Sequence, residues 1–382
     1  MPEFKNTPGG GPASAGRPRL NVNRTIMMSA LAMLVGYFLA SRGMWLWQDG
    51  SGVVHEFETM NTYARITIPK RSGSPLPPSE LAALAEKAVR EVNDLMSPFG
   101  ERSDVKRLNE TAAGKWLEVS PLTWRVVMEA LRWHRLSGGA FDPTIGPIKR
   151  LFVFDRTEAD SWPDADALAD AQSRSGADKL LFEREGMRLS WRRDGMALDL
   201  GAIAKGFAVD RAAEILIANG VKNALIDIGG ELRVLGMKPD DPPTSWTTGI
   251  RNPRSNDILL KLDLTDCAVA TSGDYERFFI YEGKRYEHII DPRQGLPLSE
   301  GIASVTVVHS KSCTAADALA TTLSVLGPEE GKNFLEQQAL GAVNVETRVV
   351  MISVEPEGAL RKYDFRINGK GEVLLEEELI ER

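Results

Sequence analysis

The chain has 382 residues, with 46 Lys and Arg against 53 Asp and Glu, a formal charge of −7. This mild acidity excludes a dedicated nucleic-acid binder with a basic face, and 43% hydrophobic with 26% charged residues excludes disorder, collagen and coiled coil for most of the length. Two cysteines, Cys267 and Cys313, exclude a disulfide scaffold and a cysteine-rich zinc site, and leave either one bridge or two thiols.

The first fifty residues read as an address. Residues 1–24 are rich in Gly, Pro, Ser and Asn, and carry Lys5, Arg17, Arg19 and Arg24 against Glu3, the composition of a disordered tail. Thr25 to Ser41 runs without a charge. With Arg42 snorkelling and Trp45 and Trp47 at the interface, Thr25 to Trp47 is long enough to span a bilayer. Basic residues precede the span, so residues 1–24 are expected in the cytoplasm, 25–47 as an uncleaved signal-anchor, and 48–382 across the membrane. No cysteine follows the apolar run, which excludes a lipid anchor there.

The remainder alternates helices with strands and hairpins. Apolar spacing after Pro77-Pro78 predicts a helix over 79–96, and Ser120-Pro121 opens another that runs to about Leu136. Lys179 to Leu200, with turns at 184–186 and 193–195, reads as antiparallel strands. Helices are expected at 201–218, 312–326 and 329–339, and strands at 224–228, 246–250, 258–264, 267–271, 277–281 and 302–308. The length allows one large domain or two lobes. Hairpins dominate, so the expected fold is α+β, with mixed or antiparallel sheets, packed helices and two closely associated lobes.

Five segments have chemical potential, each with a plain structural alternative. Gly138-Gly139-Ala140-Phe141-Asp142-Pro143 ends a helix, and the proline holds Asp142 extended, which can present its carboxylate outward. Asp199-Leu200-Gly201-Ala202-Ile203-Ala204-Lys205-Gly206 runs from strand to helix, a geometry suited to phosphate, although Asp199 also serves as an N-cap and Lys205 as a surface lysine. Asp227-Ile228-Gly229-Gly230-Glu231 is a turn or a ligand loop. His288, before the turn at Asp291, is a core imidazole or a functional one. Asp317 and Thr321 share one helix face and can both reach a hard cation, while a capping box with Thr314 explains Asp317 equally.

Taken in order, these segments resemble the ApbE family, the flavin transferases that attach FMN to proteins using FAD. The matching stretches are Thr59-Met60-Asn61-Thr62-Tyr63, Met96-Ser97-Pro98-Phe99 with Ser103 and Asn109, Gly139 to Pro143, Asp199 to Gly206, Asp227 to Gly230, Ala270-Thr271-Ser272-Gly273, His288 to Pro292, and Ala316 to Thr321. They cover about residues 57–327. The resemblance implies that Met60, Ser97, Pro98, Phe99, Ala140, Phe141, Asp142, Asp199, Lys205 and Ile290 line an FAD site. It implies that Asp317, Thr321 and the backbone carbonyl of Ala202 hold Mg²⁺, and that His288 and Asp317 are catalytic.

The implied reaction is attack by a threonine hydroxyl of an acceptor protein on the FMN-side phosphorus of FAD, with AMP leaving and His288 or a nearby carboxylate taking the proton. The implied partners are FAD, the membrane and a membrane electron-transport subunit in the same extracytoplasmic compartment, with no nucleic acid. Three other classes are alternatives: an FAD pyrophosphatase giving FMN and AMP at the same metal site, a non-catalytic exported FAD-binding protein or chaperone, and a redox flavoenzyme.

Overall fold

A computed structural model describes residues 52–154, 157–159, 161–299, 301–338, 346–368 and 370–380. Strands Gly52–Thr59 (β1) and Thr62–Pro69 (β2) pair antiparallel with Thr59 opposite Thr62. Met60 and Asn61 are thus a two-residue turn, at φ 49° and 57°, the left-handed backbone that a twisted hairpin requires at both positions. Helix Pro78–Met96 (α1) follows, with Pro78 at its first turn, then Asp104–Asn109 (α2), Leu117–Glu118 (β3) and Pro121–Leu136 (α3). Ser103 and Ser120 cap α2 and α3 by accepting from Lys106 and Thr123.

The chain continues through Gly146–Lys149 (α4), Ala165–Ser173 (α5), Leu180–Glu183 (β4), Arg188–Trp191 (β5) and Ala204–Ala218 (α6). Next come Ala224–Ile228 (β6), Glu231–Leu235 (β7), Trp246–Arg251 (β8), Ile258–Leu264 (β9), Ala268–Gly273 (β10), Phe278–Tyr281 (β11), Lys284–Asp291 (β12), Leu296–Ser299 (β13) and Ile302–His309 (β14). Cys313–Gln338 (α7) breaks at Gly327, before Pro328, where φ is 69°. Thr347–Val354 (β15), Leu360–Ile367 (β16) and Val373–Ile380 (β17) close the chain.

Nine strands form one antiparallel sheet in the order β1-β2-β6-β7-β10-β14-β15-β16-β17. The two-residue period of a strand shows directly in its burial. Ala268 and Ala270, Val305 and Val307, Val349 and Met351 face a core shared with α1, α6 and α7. The alternate residues Val269, Val350 and Ile352 join Trp246 and Leu262 of the β8–β9 ribbon in a second core. Both faces of the sheet centre are therefore buried. A three-stranded sheet, β11-β12-β13, packs aromatic residues around Phe152, Trp162 and Phe279, and β3-β5-β4 forms another.

The expected α+β class with antiparallel sheets is observed, but the two lobes are not: residues 50–382 are one compact unit. The expected tail and anchor, residues 1–24 and 25–47, lie outside the described residues. Among the described residues no helix is long and apolar enough to cross a membrane.

The antiparallel run predicted through Leu200 stops at Trp191. Asn109 takes the backbone of Leu198 instead, donating Nδ2 to its carbonyl at 3.0 Å and accepting its N–H at 2.7 Å. Asp199 gives its own N–H to Pro143. With those groups satisfied elsewhere, no strand partner is required.

Candidate active site

Two hairpin tips and four helix ends meet at a cavity of about 1170 Å³. The tip between β6 and β7 is Gly229-Gly230, with φ values of 63° and 96°. Gly229 donates its N–H to the Tyr63 carbonyl at 2.9 Å, and a Cβ there would lie 2.6 Å from Thr62 Oγ1. This glycine therefore allows the β6–β7 tip to close on the β1–β2 tip, bringing Glu231 and Met60 to the same cavity.

All fourteen residues singled out in the sequence line that cavity. Met60 comes from the first hairpin, and Ser97, Pro98 and Phe99 from the segment after α1. Ala140, Phe141 and Asp142 follow α3, while Asp199, Ala202 and Lys205 lie at the bend into α6. His288 and Ile290 are on β12, and Asp317 and Thr321 are on the first turns of α7. Phe99 is 80% exposed, whereas Phe141 and Ile290 are buried.

The capping box considered for Thr314 and Asp317 is not formed. Asp210 on α6 crosses over to cap α7, accepting from Cys313 N at 2.9 Å, Thr314 N at 2.9 Å and Thr314 Oγ1 at 2.7 Å. Ser312 Oγ accepts from Ala315 N. Asp317 is thereby released from capping its own helix. Its Oδ2 accepts the N–H of Gly206 at 2.9 Å, which goes there instead of to the Ala202 carbonyl four residues earlier. The helices can approach this closely because residue 206 is glycine: a Cβ would stand 2.3 Å from the Cys313 carbonyl oxygen.

The Asp142 carboxylate turns inward, accepting from Thr144 N, Thr144 Oγ1 and Ala177 N, so it braces the loop that carries Ala140 and Phe141.

Two close pairs of opposite charge sit in the cavity. Lys205 Nζ lies 2.5 Å from Glu231 Oε1, and Glu231 is only 2% exposed. Burial drives the Glu231 pKa up against the pull of Lys205, and the Asp317 charge adds to it, giving about 8. Asp317 is likewise raised by burial, opposed by Lys205 and the Gly206 N–H. For Lys205 burial works downward, but Glu231 and Asp317 outweigh it and its pKa is raised. Asp199 pairs with Lys149 at 3.0 Å. Burial would raise its pKa, but Lys149 and the Gly201 N–H hold it below the ordinary range.

His288 has its ring open to the cavity, with Nδ1 3.2 Å from the Arg277 carbonyl. That contact requires the proton on Nδ1 and leaves Nε2 as an acceptor. Burial, followed by the charge of Lys149, lowers its pKa to about 4, so the ring is neutral near pH 7.

Among the described residues no group of three or more His, Cys, Asp or Glu stands ready for a metal. Asp317, Thr321 and Ala202 do line the cavity together, and a carboxylate, a hydroxyl and a backbone carbonyl are oxygen donors of the kind Mg²⁺ takes.

Lys149, Arg251 and Arg277 also line the cavity without any signal in the sequence, and Glu231 has no separate role there. Only its place after two glycines signalled it.

The fold and cavity define a flavin-transferase-like α+β protein, and the comparisons agree. The sequence profile described as "ApbE family" matches residues 60–344. A protein named FAD:protein FMN transferase from Vibrio cholerae serotype O1 is 38% identical over 254 residues, 66% of this chain and 75% of that protein. One of the same name from Treponema pallidum is 35% identical over 280 residues, 68% and 76% of the two chains. Among solved structures, the flavin transferase ApbE from Vibrio cholerae superposes with a TM-score of 0.70 at 31% identity, covering 86% of this chain and 96% of that one. The ApbE protein from Thermotoga maritima also gives 0.70, at 30% identity, covering 81% and 96%. This chain belongs to the ApbE family.

Proposed function

We propose that the protein transfers the FMN half of FAD to a threonine hydroxyl of an acceptor protein and releases AMP. The observation that carries the reading is the cavity itself. At about 1170 Å³ it exceeds the roughly 300–1,000 Å³ of pockets for drug-sized ligands, and it gathers the carboxylate, hydroxyl and lysine that diphosphate chemistry needs. The relatives named FAD:protein FMN transferase support the same reaction.

In this reading Met60, Ser97, Pro98, Phe99, Ala140, Phe141 and Ile290 border the flavin nucleotide. Asp142 braces that wall, and Asp199 holds Lys149 beside it. Asp317, Thr321 and the Ala202 carbonyl hold Mg²⁺, which when bound neutralises diphosphate charge and stabilises the leaving oxygen. Lys205 adds positive charge beside the phosphates and keeps its orientation through Glu231.

The threonine oxygen forms a bond to the FMN-side phosphorus as the bond to the AMP oxygen breaks, leaving a phosphoester and free AMP. His288 Nε2 and a carboxylate are the two kinds of group in the cavity able to receive the hydroxyl proton.

The reading extends to topology: residues 1–24 as a cytoplasmic tail, 25–47 as a membrane anchor, and 48–382 as the transferase domain outside the cytoplasm. There it would meet a membrane electron-transport subunit as acceptor. A reporter fused after Arg382 that is active in the cytoplasm would contradict this topology. Incubation of the full chain with FAD, Mg²⁺ and membrane proteins of its own source tests the transfer. The expected result is flavin fluorescence on a denatured protein band, and fluorescence confined to free flavin would contradict it.

A further inference from the structure

We infer that the free edge of β8 is the docking strand for the acceptor: the acceptor's threonine-bearing segment lies extended along it, with a carboxylate of that segment at Arg251. This rests on the transferase reading above and names how the protein substrate reaches the site. β8 (Trp246–Arg251) pairs with β9 alone, and among the described residues no backbone hydrogen bond from it leads elsewhere. Its second edge therefore carries unpaired N–H and C=O groups, the template that an added strand uses. That edge lies on the cavity, because Thr248, Gly249, Ile250 and Arg251 all line it while β9 contributes only Leu262. Successive side chains of a strand point to opposite faces, so an unbroken run from 248 to 251 marks the backbone edge rather than one face. Trp246 and Ile250 are buried in the second core, whereas Thr247, Gly249 and Arg251 are exposed. The ribbon is thus anchored by one face and open on the other.

The occupant follows from chemistry and charge. The transferred group ends on a protein hydroxyl, so a segment of the acceptor must enter the cavity. Strand pairing holds such a segment by its backbone and asks little of its side chains. Arg251 adds a charge requirement: it is exposed, makes no ion pair among the described residues, and its guanidinium lies 6.0 Å from the centre of the uncharged Tyr275 ring. β1, an outer strand of the large sheet, also reaches the cavity, at Glu58 and Thr59. There Arg90 Nη1 donates to the Glu58 carbonyl at 3.4 Å, so that edge is covered.

The test uses the full chain, FAD and the membrane protein of the source that becomes fluorescent in the transfer assay, with its target threonine replaced by valine so that the complex persists. Hydrogen exchange read at single residues follows β8, with β17, an outer strand that contributes nothing to the cavity, as the control. With this acceptor at about ten times its half-saturating concentration, the amides of 247–251 that exchange freely in the chain alone should slow about tenfold, and those of β17 should not change. Arg251→Glu should raise the acceptor concentration for half-maximal transfer about tenfold and leave FAD affinity, read by flavin fluorescence, within about twofold of wild type. Unchanged exchange in β8, while the unaltered acceptor is flavinylated, would overturn the assignment. So would a wild-type acceptor requirement in Arg251→Glu, or a loss of FAD affinity equal to its loss of transfer, which would put Arg251 on the diphosphate instead. If no membrane protein becomes fluorescent, the transferase reading itself fails and the assignment with it.

Discussion

Asp317 on α7 accepts the backbone N–H of Gly206 on α6 at 2.9 Å, so a candidate metal ligand is oriented by the first turn of a neighbouring helix. Two features make this possible. Asp210 caps α7 in place of Asp317, and residue 206 lacks a Cβ. Gly206→Ala would place a methyl 2.3 Å from the Cys313 carbonyl oxygen and 2.8 Å from Asp317 Cβ. Backbone must then move, at a cost of about 1–3 kcal/mol. Thermal denaturation should show the loss, and flavin transfer should fall further than stability because Asp317 shifts with it. An unchanged melting temperature would mean that the helices do not approach this closely.

Asp317→Asn keeps the size and can still accept from Gly206, so stability should stay within about 1 kcal/mol of wild type. The variant lacks the negative charge that Mg²⁺ prefers, so Mg²⁺-dependent AMP release should drop at least a hundredfold. Thr321→Val removes an oxygen at constant shape and should raise the Mg²⁺ concentration needed for half-maximal rate. Wild-type rates in both variants across a Mg²⁺ titration would make the pair structural.

Lys205→Ala removes a charge-assisted contact and should weaken FAD binding by about 1.5–3 kcal/mol, read by fluorescence titration. It also leaves Glu231 buried without its counter-ion, so the single variant should be less stable than the double variant Lys205→Ala/Glu231→Gln. Equal stability of the two would show that the ion pair contributes nothing to folding.

Stability should fall as pH rises above 6.5. Glu231 titrates at about 8 in the folded chain against 4.5 otherwise, so between those values the folded state binds the extra proton and stability falls as pH rises. His288 and His309 are lowered to about 4 from 6.5, burial being the first cause in each. There the unfolded state binds the protons, and stability falls as pH falls from 6.5 towards 4. Above pH 6.5 the histidines no longer act, while Glu231 and Glu287, a second buried carboxyl held well above its ordinary range, both lose stability as they ionise. Chemical denaturation from pH 6.5 to 8 should show the fall, and Glu231→Gln should reduce it. A wild-type curve rising through pH 8 would contradict these ionisations.

Much of the site was readable because it is built from local signals. The Gly-Gly hairpin tip, the glycine at the bend into α6 and the four-residue spacing of Asp317 and Thr321 each follow from short-range geometry, and the α7 break at Gly327-Pro328 fell where expected. What escaped was long-range. That Asp210 rather than Thr314 caps α7 depends on a contact across about a hundred residues, as does the Asn109 clamp on Leu198 that replaces a strand. The inward turn of Asp142 also escapes, because its partners Thr144 and Ala177 are assigned by loop closure, which no periodicity encodes. Glu231 looked like the end of a turn, and only the packing of two hairpins brings it beside Lys205.

The central claim, covalent flavin transfer, is tested most directly by the intact mass of an acceptor. A threonine-bearing membrane electron-transport subunit, expressed without its flavin, is incubated with the full chain, FAD and Mg²⁺. The expected result is a mass gain of one FMN less one water, matched by equimolar AMP, and absent when that threonine is replaced by valine. Release of FMN and AMP into solution with the acceptor mass unchanged would contradict transfer and identify hydrolysis of FAD as the reaction of this cavity.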